Sequence, residues 1–517
     1  MTSFLARFSA HFAWFFVTLV SFQAHALSTA DHSKFKELQK PFASGPEVTT
    51  ACLTCHTEAA KQIHKTKHWT WEFLNPDNEQ RLGKRNILNN FCISPQSNYK
   101  HCTACHVGYG WEDEQFDFTA EQNVDCLVCH DTTGDYFKSS DNAGRPRTTV
   151  DLSHVAQNVG KTSRDTCGAC HFFGGGGNGV KHGDMDDSLA VPDREVDVHM
   201  DAVGADFTCS TCHESKDHDV SGSRYTPEAA HEGGYHIRSR DYGEDNQANC
   251  RACHDNTPHK SDEKDRLDHH AEKIACQTCH IPKMARGGVA TRMSWDWSTA
   301  GKLDKQGKPY EEKLDGKLFY SSNRGSFTYG QDIEPEYVWF NGTVHYQLLE
   351  AALEPDENGV VHINEFEGNA EDGKSRIWPI KVFRGKQPYD PVNSTLIVAH
   401  TSGHDDTGYW QNLDWNKAIT AGMLSAGKPF SGKVGFIETK MSWPITHMVA
   451  PAQDALECQE CHKKDGRLEA IDDIYIPGRH ARETLDFVGW GIALLTLMGV
   501  LAHTSVRLFS FYRRKRT

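Results

Sequence analysis

Apolar positions along this chain rarely settle into long periodic runs, and two continuous stretches at its ends stand out. The first, Phe12 to Phe22, follows Arg7 and leads into Ala24-His25-Ala26. Small residues behind a short apolar run are the pattern of a secretory signal, expected to span 1–26 and to be cut after Ala26. A retained anchor is the alternative, but the run falls short of the ~20 residues a span needs. The second stretch, Phe487 to Ala502, precedes Arg507 and the cluster Arg513-Arg514-Lys515-Arg516. That order reads as a stop-transfer helix over 485–509 with a cytoplasmic basic tail over 510–517, which leaves the preceding residues on the outer, periplasmic side. An amphipathic surface helix would need a polar face, which this stretch lacks. His503 is its one ionisable interior residue.

Between these ends the pattern is fragmentary. Thr328 to Tyr346 alternates as short strands and turns, with Asn341-Gly342 as a hairpin signal. Leu413 to Ala426 reads as a helix. The span 281–445 is rich in aromatics such as Trp295, Trp297, Tyr337, Trp339, Phe340, Trp378, Trp410, Trp415 and Trp443. Elsewhere, Gly-rich intervals predict short helices joined by long loops. The expected fold class is therefore mainly α with long loops and few short strands, plus one C-terminal transmembrane helix. Only 38% of residues are hydrophobic and mean hydropathy is -0.61. An aliphatic core this thin requires another source of apolar interior. The net charge of -15 argues against nucleic acid as a partner.

The cysteines supply that source. Seventeen in an exported chain would ordinarily mean disulfides, but sixteen fall into eight Cys-x-x-Cys-His motifs, the signature of c-type haem attachment. They are Cys52, Cys55 and His56; Cys102, Cys105 and His106; Cys126, Cys129 and His130; Cys167, Cys170 and His171; Cys209, Cys212 and His213; Cys250, Cys253 and His254; Cys276, Cys279 and His280; and Cys458, Cys461 and His462. In each, two thiols become thioethers to the porphyrin and the histidine becomes the proximal ligand of the iron. Eight covalent haems would form much of the interior and organise the first half of the chain.

A six-coordinate haem needs a second ligand, and histidines outside the motifs exceed the demand. The candidates chosen by proximity to a motif are His68, His154, His182, His199, His259, His270 and His447. His64 competes with His68, Met200 with His199, and His218, His231, His236, His400 and His404 are substitutes. Cys92 is left over, a free thiol in an oxidising compartment.

Seven motifs before residue 281 and one isolated near the C-terminus form a distinctive layout. With Cys92 just before the second motif, the loop Gly174 to Gly179 leading into Val180-Lys181-His182-Gly183-Asp184, and the run Ala275 to Pro282, the chain resembles the octahaem cytochromes of the tetrathionate reductase family. These are related to the hydroxylamine oxidoreductases and pentahaem nitrite reductases. The resemblance implies that the second-motif haem, on His106, is catalytic, that Lys181 is its distal ligand, and that Cys92 lies in the substrate pocket. Taken alone, Lys181 reads as a solvated loop lysine; Cys92, near Pro95 and the polar loop Ser94 to Asn98, reads as more than core, with a buried inert thiol as the alternative. An amine binds iron only when neutral, so a ligating lysine must sit where burial and the metal's charge lower its pKa.

The organisation expected is a signal over 1–26, a haem-rich domain over 27–280, a haem-free cover over 281–445, the eighth haem segment over 446–484, and the anchor. The function expected is a periplasmic terminal reductase of small anionic sulfur or nitrogen compounds: tetrathionate, nitrite or hydroxylamine. It would be fed by a membrane quinol-oxidising partner such as a b-type cytochrome. The alternative is an electron conduit without chemistry of its own; a hydroxylamine oxidase would need a porphyrin-linked tyrosine that the sequence does not single out.

Overall fold

The computed structural model describes residues 30–516 except 92–93, 175, 224, 226–234, 238–239, 244–248, 255–256 and 481–482. The signal over 1–26, Cys92 and His231 lie outside these residues, as does the side chain of His236.

The attachment motifs sit on single helical turns. Examples are Leu127–His130, Cys209–Cys212, Arg251–His254, Cys276–His280 and Cys458–Cys461. A turn of helix places residues three apart on one face, which aligns both cysteines of a motif toward one porphyrin edge. Longer helices are α1 (Gly45–Leu53), which includes Cys52, α2 (Leu152–Gln157), and α3 (Arg164–His171), which carries the fourth motif. Reciprocal capping by Ser163 and Thr166 fixes the start of α3, and Thr208 with Thr211 and Glu457 with Glu460 do the same for two motif turns. Loops dominate between them, and apolar packing in this half breaks into small groups. One is Leu38, Val48, Leu127, Leu152, Val155 and Ala156; another is Ala60, Trp69, Val107, Val124 and Val128.

The main apolar core centres on the second half, joined by Leu82, Ile87, Leu88, Phe91, Val180 and Ala275 from the first, and here the expectation of few short strands fails. Residues 291–444 build a nine-stranded sheet from β1 (Thr291–Asp296), β2 (Glu311–Leu314), β3 (Lys317–Ser321), β4 (Gly325–Gly330), β5 (Glu336–Phe340), β6 (Val360–His362), β7 (Arg376–Asp390), β8 (Thr395–Leu396) and β9 (Gly435–Pro444). The order is β6-β9-β7-β1-β4-β3-β2, with β5 and β8 also on β7. Most pairs are antiparallel, but β7 with β1 and β6 with β9 are parallel. The chain is 29% helix and 19% strand, a mixed architecture. The sequence pattern misses β7 because the strand is buried along nearly its whole length, so its apolar residues run together instead of alternating.

Asn341-Gly342 does turn the chain, with Gly342 at φ +97°, but it does not close a hairpin. β5 pairs with β7, whereas Val344–Tyr346 pairs with Asn364–Phe366. The helix expected over 413–426 is α4 (Trp415–Ser425), capped by Asp414 on the Lys417 amide and burying Ile419 and Met423 against the sheet. The last element, α5 (Glu483–Arg514), is 32 residues long and turns its apolar side chains outward. It is long and apolar enough to cross a membrane.

Candidate haem ligands and reaction site

Seven of the eight motif histidines face a second histidine. Ring centres are 6.3 Å apart for His56 and His32, 6.4 Å for His130 and His218, and 6.1 Å for His171 and His68. They are 6.1 Å apart for His213 and His447, 6.0 Å for His254 and His199, 6.3 Å for His280 and His259, and 6.0 Å for His462 and His270. Two metal–nitrogen bonds of about 2 Å, plus roughly 1 Å from each nitrogen to its ring centre, sum to about 6 Å. The residues present therefore fit an iron held between each pair.

Several of these rings are oriented through Nδ1, which leaves Nε2 for the metal. His130 donates to the Gly160 carbonyl at 2.8 Å, His213 to that of Ser221 at 2.9 Å and His462 to that of Pro477 at 3.1 Å. On the distal side His218 meets Gln62 at 2.7 Å and His259 meets Asp268 at 2.6 Å. Burial pushes His447 down to about 4, with the facing His213 adding to the shift. Burial also lowers His270, His280 and His218, again with the facing histidine adding to it. All are thereby held in the neutral form that binds metal.

Five expected distal residues, His68, His199, His259, His270 and His447, thus stand opposite motif histidines, though not those nearest in sequence. His270 faces the eighth motif and His447 the fifth. Two others do not. His154 is exposed because Leu152, Val155 and Ala156 bury the opposite face of α2. His182 donates from Nε2 to the Gly174 carbonyl at 3.1 Å and lies 4.4 Å from the rings of both Phe91 and Trp443. Their places are taken by His218, previously a substitute, and by His32, which proximity to a motif had not selected. His32 lies in a 3-10 turn capped by Asp31; that aspartate is the local signal that marks it.

His106 differs from the rest. It is 1% exposed, and its ring is boxed by Trp69, Trp71, Trp111, Phe116 and Phe118 at 4.8–6.3 Å. Its Nε2 donates to the Trp69 carbonyl at 2.7 Å, and its buried Nδ1 has no partner. Burial takes it down to about 3. Among the described residues no histidine faces it.

Nor does Lys181. That side chain is fully buried on a loop where its own φ is +50°, with Nζ 3.6 Å from Met448 Sδ and 3.7 Å from Asp186. The sheet holds this loop in place. Arg292 bonds the Gly176 carbonyl by its side chain at 2.8 Å and the Gly179 carbonyl by its backbone at 2.6 Å. Thr291 donates to the Val180 carbonyl at 3.1 Å, and the buried Lys381 donates to the same carbonyl and meets Thr291 Oγ1 at 2.6 Å. β7 also holds the segment before Cys92: Asn90 donates to the Phe383 carbonyl at 2.9 Å. A Cβ on Gly385 would lie 2.8 Å from Asn90. The neighbours of Cys92 and Lys181, Phe91 and His182, are in ring contact.

The motif cysteines give the order of the sites. The Cys52 thiol interacts directly with Cys126, Cys105 with Cys170, Cys167 with Cys209, and Cys250 with Cys276. Cys129 is an electrostatic neighbour of Cys167, Cys212 of Cys253, and Cys279 of Cys461. The segments form one file, 1-3-4-5-6-7-8, with the second branching from the fourth.

Comparison with known proteins agrees with this geometry. Residues 292–465 match the family model described as bacterial cytochrome c, and 51–131 match that of cytochrome c554 and c-prime. An uncharacterized protein of Archaeoglobus fulgidus is 25% identical over 252 residues, covering 38% of this chain and 82% of its own. The crystal structure of an octahaem cytochrome c from Shewanella oneidensis superposes with a TM-score of 0.73 at 41% identity, over 86% of this chain and 96% of that one. With eight attachment motifs, seven opposed histidine pairs and a relative this similar over nearly its full length, the chain belongs to the octahaem cytochromes c.

Proposed function

We propose that this protein is a membrane-anchored, periplasmic reductase of small oxidised sulfur or nitrogen compounds, with its reaction site at the second attachment segment. The observation that carries the reading is the exception at His106: seven motif histidines face a histidine, and among the described residues this one does not. A paired site has both axial positions filled, so it suits electron transfer; a site without a second imidazole can admit substrate. When bound, the haems would supply one-electron transfer and, at His106, the iron at which substrate is reduced.

The chain's own residues then divide the work. The opposed histidines would hold seven of the irons, one between each pair. In this reading Lys181, whose amine now lies 3.7 Å from Asp186, would be a displaceable ligand of the iron at the His106 site. Cys92 follows Phe91, whose ring contacts His182 next to Lys181, and in this reading its thiol takes part in sulfur chemistry. Its thiolate attacks the central S–S bond of tetrathionate, releasing one thiosulfate and leaving a Cys–S–S–SO₃⁻ adduct. Two electrons then return the thiolate and the second thiosulfate, with no proton consumed. Nitrite and hydroxylamine are the nitrogen compounds the same site would take. The signal over 1–26 exports the chain, α5 anchors it, and a quinol-oxidising membrane protein supplies electrons.

The test is electron paramagnetic resonance (EPR) of the purified holoprotein with tetrathionate or nitrite added, comparing wild type with Lys181→Ala and Cys92→Ala. One haem with a signal unlike the others, altered in Lys181→Ala and responsive to substrate, is the expected result. Eight inert, substrate-insensitive signals would leave the file of sites as a conduit.

A further inference from the structure

The eighth attachment segment and α5 are adjacent in the chain, and the residues between them are folded back on the motif. His462 donates from Nδ1 to the Pro477 carbonyl at 3.1 Å. Gly478, at φ +87°, lies so close that a Cβ there would meet the His462 carbonyl at 2.4 Å. Arg479 donates to the Leu468 carbonyl at 2.9 Å and also to that of Ile471. Leu468, Ile471 and Ile476 are buried with Tyr337 and Ile377. This fixed loop leaves only residues 478–482 between Pro477 and the first residue of α5. Six steps of extended chain span at most about 20 Å, so whatever the tilt of the helix, His462 stays within roughly that reach of its start.

Beside this motif is a groove of about 640 Å³ in which five carboxylates, among them Glu334, Glu460 and Asp465, outnumber Lys463 and Arg467, with Pro335, Tyr337 and Ala470 supplying apolar surface. Its net acidic lining complements a basic protein face, which a neutral quinol ring does not offer. Leading away from the motif, the file of segments runs through the seventh, sixth, fifth and fourth to the His106 branch.

We propose that the site formed by Cys458, Cys461, His462 and His270 is where electrons enter from the membrane, and that the donor docking there is a membrane-resident redox protein, not quinol itself. The inference rests on reading α5 as an anchor and is independent of which substrate is reduced. Quinol oxidised by that donor yields quinone, two protons and two electrons. His462 and His270, 6.0 Å apart, would hold the iron that accepts these electrons one at a time.

The experiment uses full-length holoprotein in phosphatidylethanolamine–phosphatidylglycerol vesicles, with a zinc porphyrin dissolved in the bilayer as photodonor and haem absorbance followed after a flash. His270→Met replaces imidazole by a thioether at the entry site, which raises its potential; His32→Met does the same at the far end of the file. His270→Met is expected to slow electron arrival at the remaining haems about tenfold, equivalent to ~60 mV in a one-electron couple, while His32→Met leaves it within about twofold. Equal effects, or a larger one from His32→Met, overturn the proposal. So does an EPR spectrum unchanged by His270→Met, because His270 would then not be a ligand. Reduction at the flash rate in vesicles containing only a menaquinol analogue overturns the choice of a protein donor. No substrate is present, so failure of the reductase reading leaves these outcomes untouched.

Discussion

An imidazole pressed against a second imidazole away from water resists protonation twice over, through lost hydration and through the charge its neighbour would feel. His447 against His213 is the clearest case, held at about 4 by burial first and by the facing ring next. The same opposition identifies ligands that sequence proximity does not. Replacing His32 or His218 with alanine is expected to alter the EPR signal of one haem each, whereas His154→Ala alters none. A changed spectrum in His154→Ala with an unchanged one in His32→Ala would refute the pairing. Lys381 offers a second test, because burial draws it down to about 7 from 10.5. Between those values the unfolded chain binds a proton that the folded one does not, so folding stability rises with pH across that window. Relative to Lys381→Met, wild type should gain up to about 1.4 kcal/mol per pH unit between pH 7 and 10 in urea titrations; a pH-independent difference would show that the amine is charged when folded. The motif residues were legible because covalent attachment demands contiguous cysteines and histidine. Distal residues were not, because a ligand can come from any distance: His68 reaches the fourth motif and His447 the fifth.

At the scale of elements, β7 does more than cover haems. It carries Lys381, which bonds the loop before Lys181, and Gly385, which lets Asn90 approach next to Cys92. One strand thereby holds both loops on which the proposed chemistry depends. A methyl group at Gly385 would lie 2.7 Å from Thr439 Oγ1 and 2.8 Å from Asn90 Cβ. Gly385→Ala should therefore cost about 1–3 kcal/mol by overpacking, seen as a lower urea midpoint at unchanged slope. A loss under about 0.5 kcal/mol would mean that the 89–91 segment yields freely. The sequence reading found α4 and α5 because each has a cap or a continuous apolar run. It missed the sheet because β7, buried on both faces, shows no alternation, and because the Asn341-Gly342 turn sends its flanking strands to different partners. Nothing local distinguishes such a turn from a hairpin.

On the scale of the whole molecule, the two halves differ in what holds them together. The sheet region has one continuous core that includes Trp295, Trp378, Phe383, Ile397, Met423 and Trp443. The attachment region lends that core Leu82, Ile87, Leu88, Phe91, Val180 and Ala275, but otherwise its described residues pack in small clusters, such as Phe172, Leu189, Val196 and Met448, around histidines opposed at about a metal's width. Composition alone signalled this deficit, since 38% hydrophobic residues cannot fill a chain of 517 without help from cofactors. It could not say which half bore the deficit. Apolar burial contributes about 25 cal/mol per Å², so a half whose interior faces are porphyrins forfeits most of its stabilisation when they are absent. Chain produced without haem attachment should accordingly be cut first within 40–280 under limited proteolysis, while fragments spanning the sheet persist severalfold longer. The comparison is by mass spectrometry against holoprotein, which should resist in both halves. Equal survival of the two halves in the haem-free chain would mean that the loops and short helices around the motifs carry their own fold, and that the haems are cargo instead of core.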